Sequence, residues 1–255
     1  MNRKYTTFLL SILLLIPLLS YSQNWRLNRY EASLGLGTAN IFGDIGGTFD
    51  DKNAAGLKDI QLQYTRPSLA FGARYFLNER MTVKMNLIYG IFAGNDLKSR
   101  NDRREFAFTA TIFEPSFQFE YYLISEAKKR SSMALFNRRG MINNYRNVYL
   151  YFFSGVGGAF FNSTPKNDFI PLYKDDFSKF GIVFPVGFGL KVPLYSQWSL
   201  GFEFGRRFTT TDFIDGYTSA FSSHNDTYYF GILNAVYKIR SNRRGWPTFR
   251  NSVFR

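Results

Sequence analysis

The sequence predicts an all-β chain that folds as an eight-stranded antiparallel transmembrane β-barrel. Eight segments of roughly ten residues, the length of a membrane-spanning strand, alternate between two kinds of side chain with a period of two. Tight and long connections take turns between them, as in barrels of an outer membrane. Aromatic residues make up 19% of the chain, and it contains no cysteine. An exported chain without disulfides must rely on a large sheet, a core or a membrane.

The N-terminus has the pattern of a secretory signal peptide. Arg3 and Lys4 precede an apolar run over residues 8–19, and we expect cleavage before Gln23. A membrane anchor is the competing interpretation, but the run is shorter than the ~20 apolar residues of a spanning helix. The predicted parts are the signal peptide, residues 1–22, the barrel, residues 23–240, and a basic C-terminal tail, residues 241–255.

Four candidate strands lie in the first half of the mature chain. In segment 68–76, Leu69 and Phe71 share a face with further apolar residues, and small or basic residues share the other. The four segments are 30–42, 68–76, 82–91 and 113–121. Within the first, Gly35 and Gly37 look like the start of a phosphate-binding loop. The third glycine and the helix of a dinucleotide fingerprint are missing, so we place both glycines on the lumen face of a strand.

Four more candidate strands follow with the same alternation. In segment 200–207, for example, Leu200 and Phe202 alternate with Gly201 and Glu203. The four segments are 149–160, 182–192, 200–207 and 226–239.

The connections between these strands indicate how the barrel is oriented. Residues 78–80 and 195–197 form short turns, which face the periplasm in such barrels. The connections expected to face outward are longer and polar, and they cover residues 43–66, 94–105, 162–178 and 210–226.

A soluble β-sandwich is the main competing fold, because its strands alternate too. Its outward face would be polar, whereas here the apolar face is rich in Phe and Tyr and the opposite face carries glycines and charges. Charges that face a dry sandwich core would be costly, but inside an eight-stranded barrel they can pair and fill the narrow interior. We therefore predict a structural lumen network rather than a gated ion path. Its predicted members are Glu31, Arg74, Lys84, Glu114, Gln118, Glu120, Lys191, Glu203 and Arg207.

No residue pattern predicts catalysis, a metal site or a cofactor. His224 is the only histidine, and it lies beside Ser222, Ser223 and Asp226 in the last outer loop. Neighbouring residues in a loop seldom reach the geometry of a catalytic triad, so we predict no enzyme activity. Asp215 and its neighbour Asp212 could at most bind calcium weakly, and we interpret that loop as hydrated.

Basic residues are concentrated in two segments on the predicted periplasmic side, residues 125–147 and the tail from residue 238. The whole chain has a formal net charge of +13. Segment 125–147 is abnormally long for a periplasmic turn, and apolar residues such as Phe136 lie among its charges. We predict a docking face for an acidic periplasmic partner, and a rim that touches anionic lipid is the alternative. The predicted docking residues are Lys128, Lys129, Arg130, Arg138, Arg139, Arg146, Arg240, Arg243, Arg244, Trp246 and Arg250.

Five sequence stretches together resemble one protein family. They are GLGTANIFGDIG (35–46), RPSLAFGARY (66–75), LIYGIFAGND (87–96), IFEPSFQFEY (112–121) and RRFTTTDFIDG (206–216). The family is the PorG-like outer-membrane β-barrel proteins of Bacteroidota, which are associated with type IX secretion. The resemblance implies an OmpA-like barrel in the cell outer membrane. It also implies contact with the periplasmic ring of the secretion machine, built of a lipoprotein and its partner.

The expected function is therefore non-enzymatic protein transport, in which the barrel anchors or positions a periplasmic assembly and contacts outer-membrane lipids. Nucleic acid is not an expected partner in that compartment. The second hypothesis is a small transport pore or a lipid-binding structural barrel. The third is an outer-membrane lipid hydrolase.

Overall fold

The structure is a computed structural model. It describes residues 29–43, 45, 62–96, 105–124, 148–166, 178–194, 197–217, 225–242 and 246–248. The predicted signal peptide lies outside the described residues, and so do Asp44, His224 and all of segment 125–147.

Eight antiparallel strands form one closed barrel in chain order, as the alternation predicts. The strands are β1 Tyr30–Phe42, β2 Arg66–Phe76, β3 Met81–Asn95, β4 Ala107–Tyr122, β5 Tyr149–Pro165, β6 Phe180–Pro193, β7 Trp198–Thr209 and β8 Thr227–Ile239. Closure comes from β1 and β8, which pair from Tyr30 opposite Ile239 to Phe42 opposite Thr227. The wall therefore has no edge strand to pair with another chain.

Short turns mark one end of the barrel, called here the turn end. Asn78 shapes the first turn, because its side-chain oxygen accepts hydrogen bonds from the backbone N–H groups of Arg80 and Met81, both at 2.8 Å. In the second, the N–H of Leu194 donates to the carbonyl of Trp198 at 3.0 Å. The opposite end, called the loop end, carries the connections after β1, β3, β5 and β7.

The outward face of the wall is apolar and exposed. Leu36 is 69% exposed and Phe117 is 61% exposed, although both lie in the middle of well-paired strands. In water such a surface would drive association, whereas in a bilayer it faces the acyl chains. Paired aromatic rings, Tyr30 with Tyr75 and Trp198 with Tyr237, lie at the turn end, as aromatic girdles do at a membrane surface. The wall is therefore built as an outer-membrane type of barrel.

Three strands extend further at the loop end than the sequence predicts. β3 continues to Asn95, β4 begins at Ala107 and β5 continues to Pro165. Residues 94–95 and 162–165 are thus strand, and their assignment to outer loops was wrong. Here the pattern inverts, because Thr111 lies opposite Asn162 on the outside, while apolar residues such as Phe108 and Phe161 are buried inside. Strands that are polar outside and apolar inside are what a wall needs once it rises above the lipid.

Local helix is slight in the described residues. A 3-10 helix, Leu62–Tyr64, precedes β2. No helix in the described part of the chain has the length and apolarity to cross a membrane.

Candidate functional site

The interior near the turn end holds a buried set of charges, called here the inner network. Its members are Glu31, Arg74, Lys84, Glu120, Lys191 and Glu203. Five of them occupy inward positions near the turn ends of their strands, for instance Arg74, two residues before β2 ends at Phe76, and Glu203 lies at the middle of β7. All six are at most 3% exposed.

Glu203 is the centre of the inner network. Its carboxylate accepts hydrogen bonds from Lys84 Nζ at 2.6 Å, from the Tyr151 hydroxyl at 2.8 Å and from Arg74 Nη2. Arg74 Nε also donates to Glu120 at 2.9 Å. A carboxylate with three donors retains its charge in a low-dielectric site, because each contact replaces a lost water.

A second ion pair lies beside this group. Lys191 Nζ is 2.8 Å from Glu31 Oε1, and it also lies within 5.2 to 5.8 Å of the ring centres of Phe76, Tyr122 and Tyr149. Rings that face a desolvated ammonium group add cation–π attraction.

A third pair lies higher in the barrel and joins the charges to the apolar part. Arg207 Nε is 3.5 Å from Glu114 Oε1, and the Tyr228 hydroxyl donates to Glu114 at 2.7 Å. The Arg207 guanidinium lies 4.8 Å from the centre of the Phe230 ring. With this pair, the eight charged residues predicted for the lumen are all placed inside the barrel. Gln118 is also buried there, and its amide nitrogen is 3.4 Å from the Ser116 hydroxyl.

The interior near the loop end is apolar, which the sequence did not predict. We call this cluster the outer core. Among its buried members are Phe92, Phe108, Ile112, Phe161, Tyr228, Phe230 and Ile232. Phe92 contacts both Tyr228 and Phe230, at ring-centre distances of 5.2 and 5.8 Å. The local signal was present in the strand extensions, but it was missed because the expected inside was polar.

Residues 210–217, called here the cap, fold back over the outer core. Ile214 is fully buried in it, and Tyr217 packs at its edge. Two carboxylates hold the cap: Asp215 accepts from the N–H of Tyr217 at 2.9 Å, and Asp226 accepts from the N–H of Ile214 at 2.8 Å. The interpretation of this loop as hydrated was wrong for Asp215, which is buried, whereas Asp212 is half-buried.

Burial raises the pKa of Asp226 well above its usual range, and the neighbouring carboxylates of Asp215 and Asp212 raise this pKa further. The two cap carboxylates also leave no room at Gly43, where a Cβ atom would lie 2.5 Å from Asp226 Oδ1 and 2.6 Å from Asp215 Oδ2. Among the described residues no group of three or more acidic, histidine or cysteine side chains has the arrangement of a metal site.

Of the predicted docking residues, the structure describes Arg240 and Trp246. The chain beyond β8 makes a small turn, in which Ser241 and Pro247 form a β-bridge and the N–H of Thr248 donates to the carbonyl of Arg240 at 2.7 Å. Trp246 is 66% exposed on the returning arm of this turn, where its carbonyl accepts from the N–H of Asn242 at 2.8 Å. The remaining docking residues lie outside the described residues: Lys128, Lys129, Arg130, Arg138, Arg139, Arg146, Arg243, Arg244 and Arg250.

No family model and no curated protein matches the chain. Among solved structures, Neisserial surface protein A is similar at 10% identity and a TM-score of 0.45, over 82% of this chain and 96% of that one. A major outer membrane protein of Thermus thermophilus has 14% identity and a TM-score of 0.42, over 82% and 98%. The outer membrane enzyme PagL has 13% identity and a TM-score of 0.34, over 82% and 99%. With TM-scores below 0.5, the barrel assignment stands on the chain's own strand pairing.

Proposed function

We propose that this chain is an outer-membrane β-barrel, exported by its signal peptide, that anchors or positions a periplasmic protein assembly without enzymatic activity. The turn end faces the periplasm in this proposal. The chain's resemblance to PorG-like barrels makes the ring of the type IX secretion machine, a lipoprotein and its partner, the candidate assembly.

The filled interior is the observation that carries the proposal. Charges paired across the inner network occupy the turn-end half, and the outer core with its cap occupies the other half. An interior so occupied favours a structural barrel over a transport pore. A working surface would then lie outside the wall or at its ends.

The turn end has the chemistry of such a surface. Arg240 and the exposed Trp246 lie on the tail turn, and the sequence adds two strongly basic segments at the same end. Arginine and tryptophan are frequent anchors of protein interfaces, and a dense positive charge speeds the encounter with an acidic partner. An anionic lipid surface is the competing occupant of this charge.

Replacing the same number of basic residues by Glu at each end of the barrel tests the proposal. The turn-end variant changes Lys128, Lys129, Arg130 and Arg138 to Glu. The matched loop-end control changes Lys98, Arg100, Arg103 and Arg104 to Glu. Each barrel is cross-linked in intact cells and purified through a C-terminal tag, and the ring proteins recovered with it are quantified.

We expect the turn-end variant to lose most of the recovered ring proteins and the loop-end control to retain them. Equal recovery from both variants, at equal amounts of folded barrel, would reject the docking role. Recovery of acidic lipids in place of protein would assign the basic surface to the membrane and reject it as well.

A further inference from the structure

Among the strand residues that the structure describes, a single arginine points out of the barrel into the lipid-facing surface. On β7 the outward positions are Trp198, Leu200, Phe202, Phe204, Arg206 and Phe208. Arg206 lies opposite Val186 of β6, which is 46% exposed on the apolar outside. The positive charge of Arg206 therefore belongs to the wall surface and not to the lumen.

The position of Arg206 along β7 places it near a membrane boundary. Trp198, at the turn end of the strand, is 51% exposed in an aromatic pair with Tyr237. The step from Trp198 to Arg206 at ~3.3 Å per residue, tilted by about 40°, spans roughly 20 Å of membrane. The apolar band of such barrels is about 25 Å tall, so Arg206 lies roughly 5 Å inside the loop-end edge of this band, close to the headgroups of that leaflet.

The guanidinium of Arg206 is fixed and only partly satisfied. It lies 4.8 Å from the ring centre of Phe208 and 5.6 Å from that of Tyr229, and Nη2 donates to the Thr227 hydroxyl at 3.1 Å. Its Nε is buried and has no hydrogen-bond partner in the described part of the chain. Among the described residues no carboxylate forms an ion pair with it.

The surroundings of Arg206 favour an anion that comes from the membrane. A cation on a lipid-facing wall is unfavourable unless water or an opposite charge reaches it. Two aromatic rings hold the guanidinium against the wall, so the charge does not extend freely toward water. A planar guanidinium donates two parallel hydrogen bonds, which match the oxygens of a phosphate group. Asn40 adds a polar side chain, since it lies opposite Tyr229 on the same outer row.

We propose that Arg206 and Thr227, held between Phe208 and Tyr229, form a binding site for the phosphate of a lipid headgroup in the loop-end leaflet. The phosphate reaches the site as part of a lipid, because the path to Arg206 crosses Val186 and Phe208, which are both exposed on the apolar wall. It is independent of the docking role at the turn end.

The test uses the full chain in maltoside micelles, which carry no phosphate, and native mass spectrometry to count bound lipids. Phosphatidylglycerol is titrated in one arm and the uncharged diacylglycerol with the same tails in another. The variants are Arg206→Gln and Arg206→Lys. The control is Arg66→Gln, which removes the same charge from an inward position at the loop end of β2.

We expect wild type and Arg66→Gln to retain one phosphatidylglycerol and Arg206→Gln to bind it at least about tenfold more weakly, as loss of a charge-assisted contact implies. Arg206→Lys should bind the lipid with intermediate affinity, because it keeps the charge and loses the two parallel hydrogen bonds of the guanidinium. Equal binding by Arg206→Gln and Arg66→Gln overturns the site, as does equal retention of diacylglycerol by wild type. Displacement of the lipid by millimolar inorganic phosphate overturns the lipid-borne assignment. If Arg206→Gln does not fold, the wild-type arms and Arg206→Lys decide.

Discussion

The two halves of the barrel interior are filled by opposite chemistry within one set of strands. Toward the turn end, inward positions carry ion pairs such as Lys84 with Glu203, while the outward positions face lipid. Toward the loop end, inward positions carry rings such as Phe92 and Phe108, while outward positions such as Thr111 become polar. The inward face of a barrel strand therefore takes its polarity from what surrounds the wall at each level.

The two fillings should respond differently to the loss of one member. A buried ion network is only marginally favourable as a whole, but a charge left without its partner is costly. A packed apolar core loses transfer free energy and gains a cavity. Mutations in the two halves can therefore separate the contribution of ion pairing to stability from the contribution of apolar packing.

The largest effect is expected at the centre of the inner network. Glu203→Ala leaves Lys84 and Arg74 without a shared carboxylate, and it should lower the free energy of unfolding by about 3–5 kcal/mol. Denaturant titration of the barrel in micelles measures this. The double variant Glu203→Leu with Lys84→Met should recover part of the loss, because it removes charges from both sides. A change below about 1 kcal/mol in Glu203→Ala, the size of an exposed pair, would contradict a dry, buried network.

A comparable but purely steric effect is expected in the outer core. Phe92→Ala should cost about 3 kcal/mol through the cavity that it leaves against Phe230. Phe117→Ala is the matched control, since its ring is 61% exposed on the outside and its loss leaves no internal cavity. The same denaturant titration compares them, and equal losses would mean that the loop-end half is not packed as described.

The cap should depend on pH through Asp226. The folded pKa of Asp226 is raised, so its contribution to stability is fully present below the unfolded pKa of about 3.9 and is lost as the pH rises through the folded pKa. Hydrogen exchange at the amides of Ile214 and Tyr217, corrected for the intrinsic rate, should show more frequent cap opening as the pH rises. Asp226→Asn should flatten this dependence, and an unchanged pH profile in that variant would exclude Asp226 as its source.

Much of this arrangement follows from the sequence because the strands have contrast between their faces. Residues 30–42 were predicted as a strand and form β1 with those bounds, and the same contrast identified Glu203 and Lys84 as inward residues. In the strand extensions the inward positions become apolar and the outward positions become polar, as at Phe108 and Thr111. A search for strands with an apolar outside and a polar inside therefore places the strand ends too early.

The cap could not be predicted from the alternation along the strands, for a different reason. Asp215 and Asp226 look like solvated loop residues in the sequence, because the backbone N–H groups that they accept from are brought to them only when the loop folds back. Tyr151 and Tyr228 raise the same problem, since their hydroxyl groups complete carboxylate sites on strands distant in the sequence. Arg206 lies on the outward face by the same alternation that places Arg207 inside, but its contacts with Phe208, Tyr229 and Thr227 appear only in the folded wall.

Single-channel recording in planar bilayers tests most directly whether the interior is closed. Two fillings in series, the inner network and the capped outer core, predict no steady conductance from the wild-type barrel at moderate voltage. Brief openings are expected only in a variant that disrupts both, such as Glu203→Ala combined with Phe92→Ala. A steady, large conductance from the wild type would contradict the account, because it would show a continuous aqueous path where the structure places ion pairs and aromatic rings.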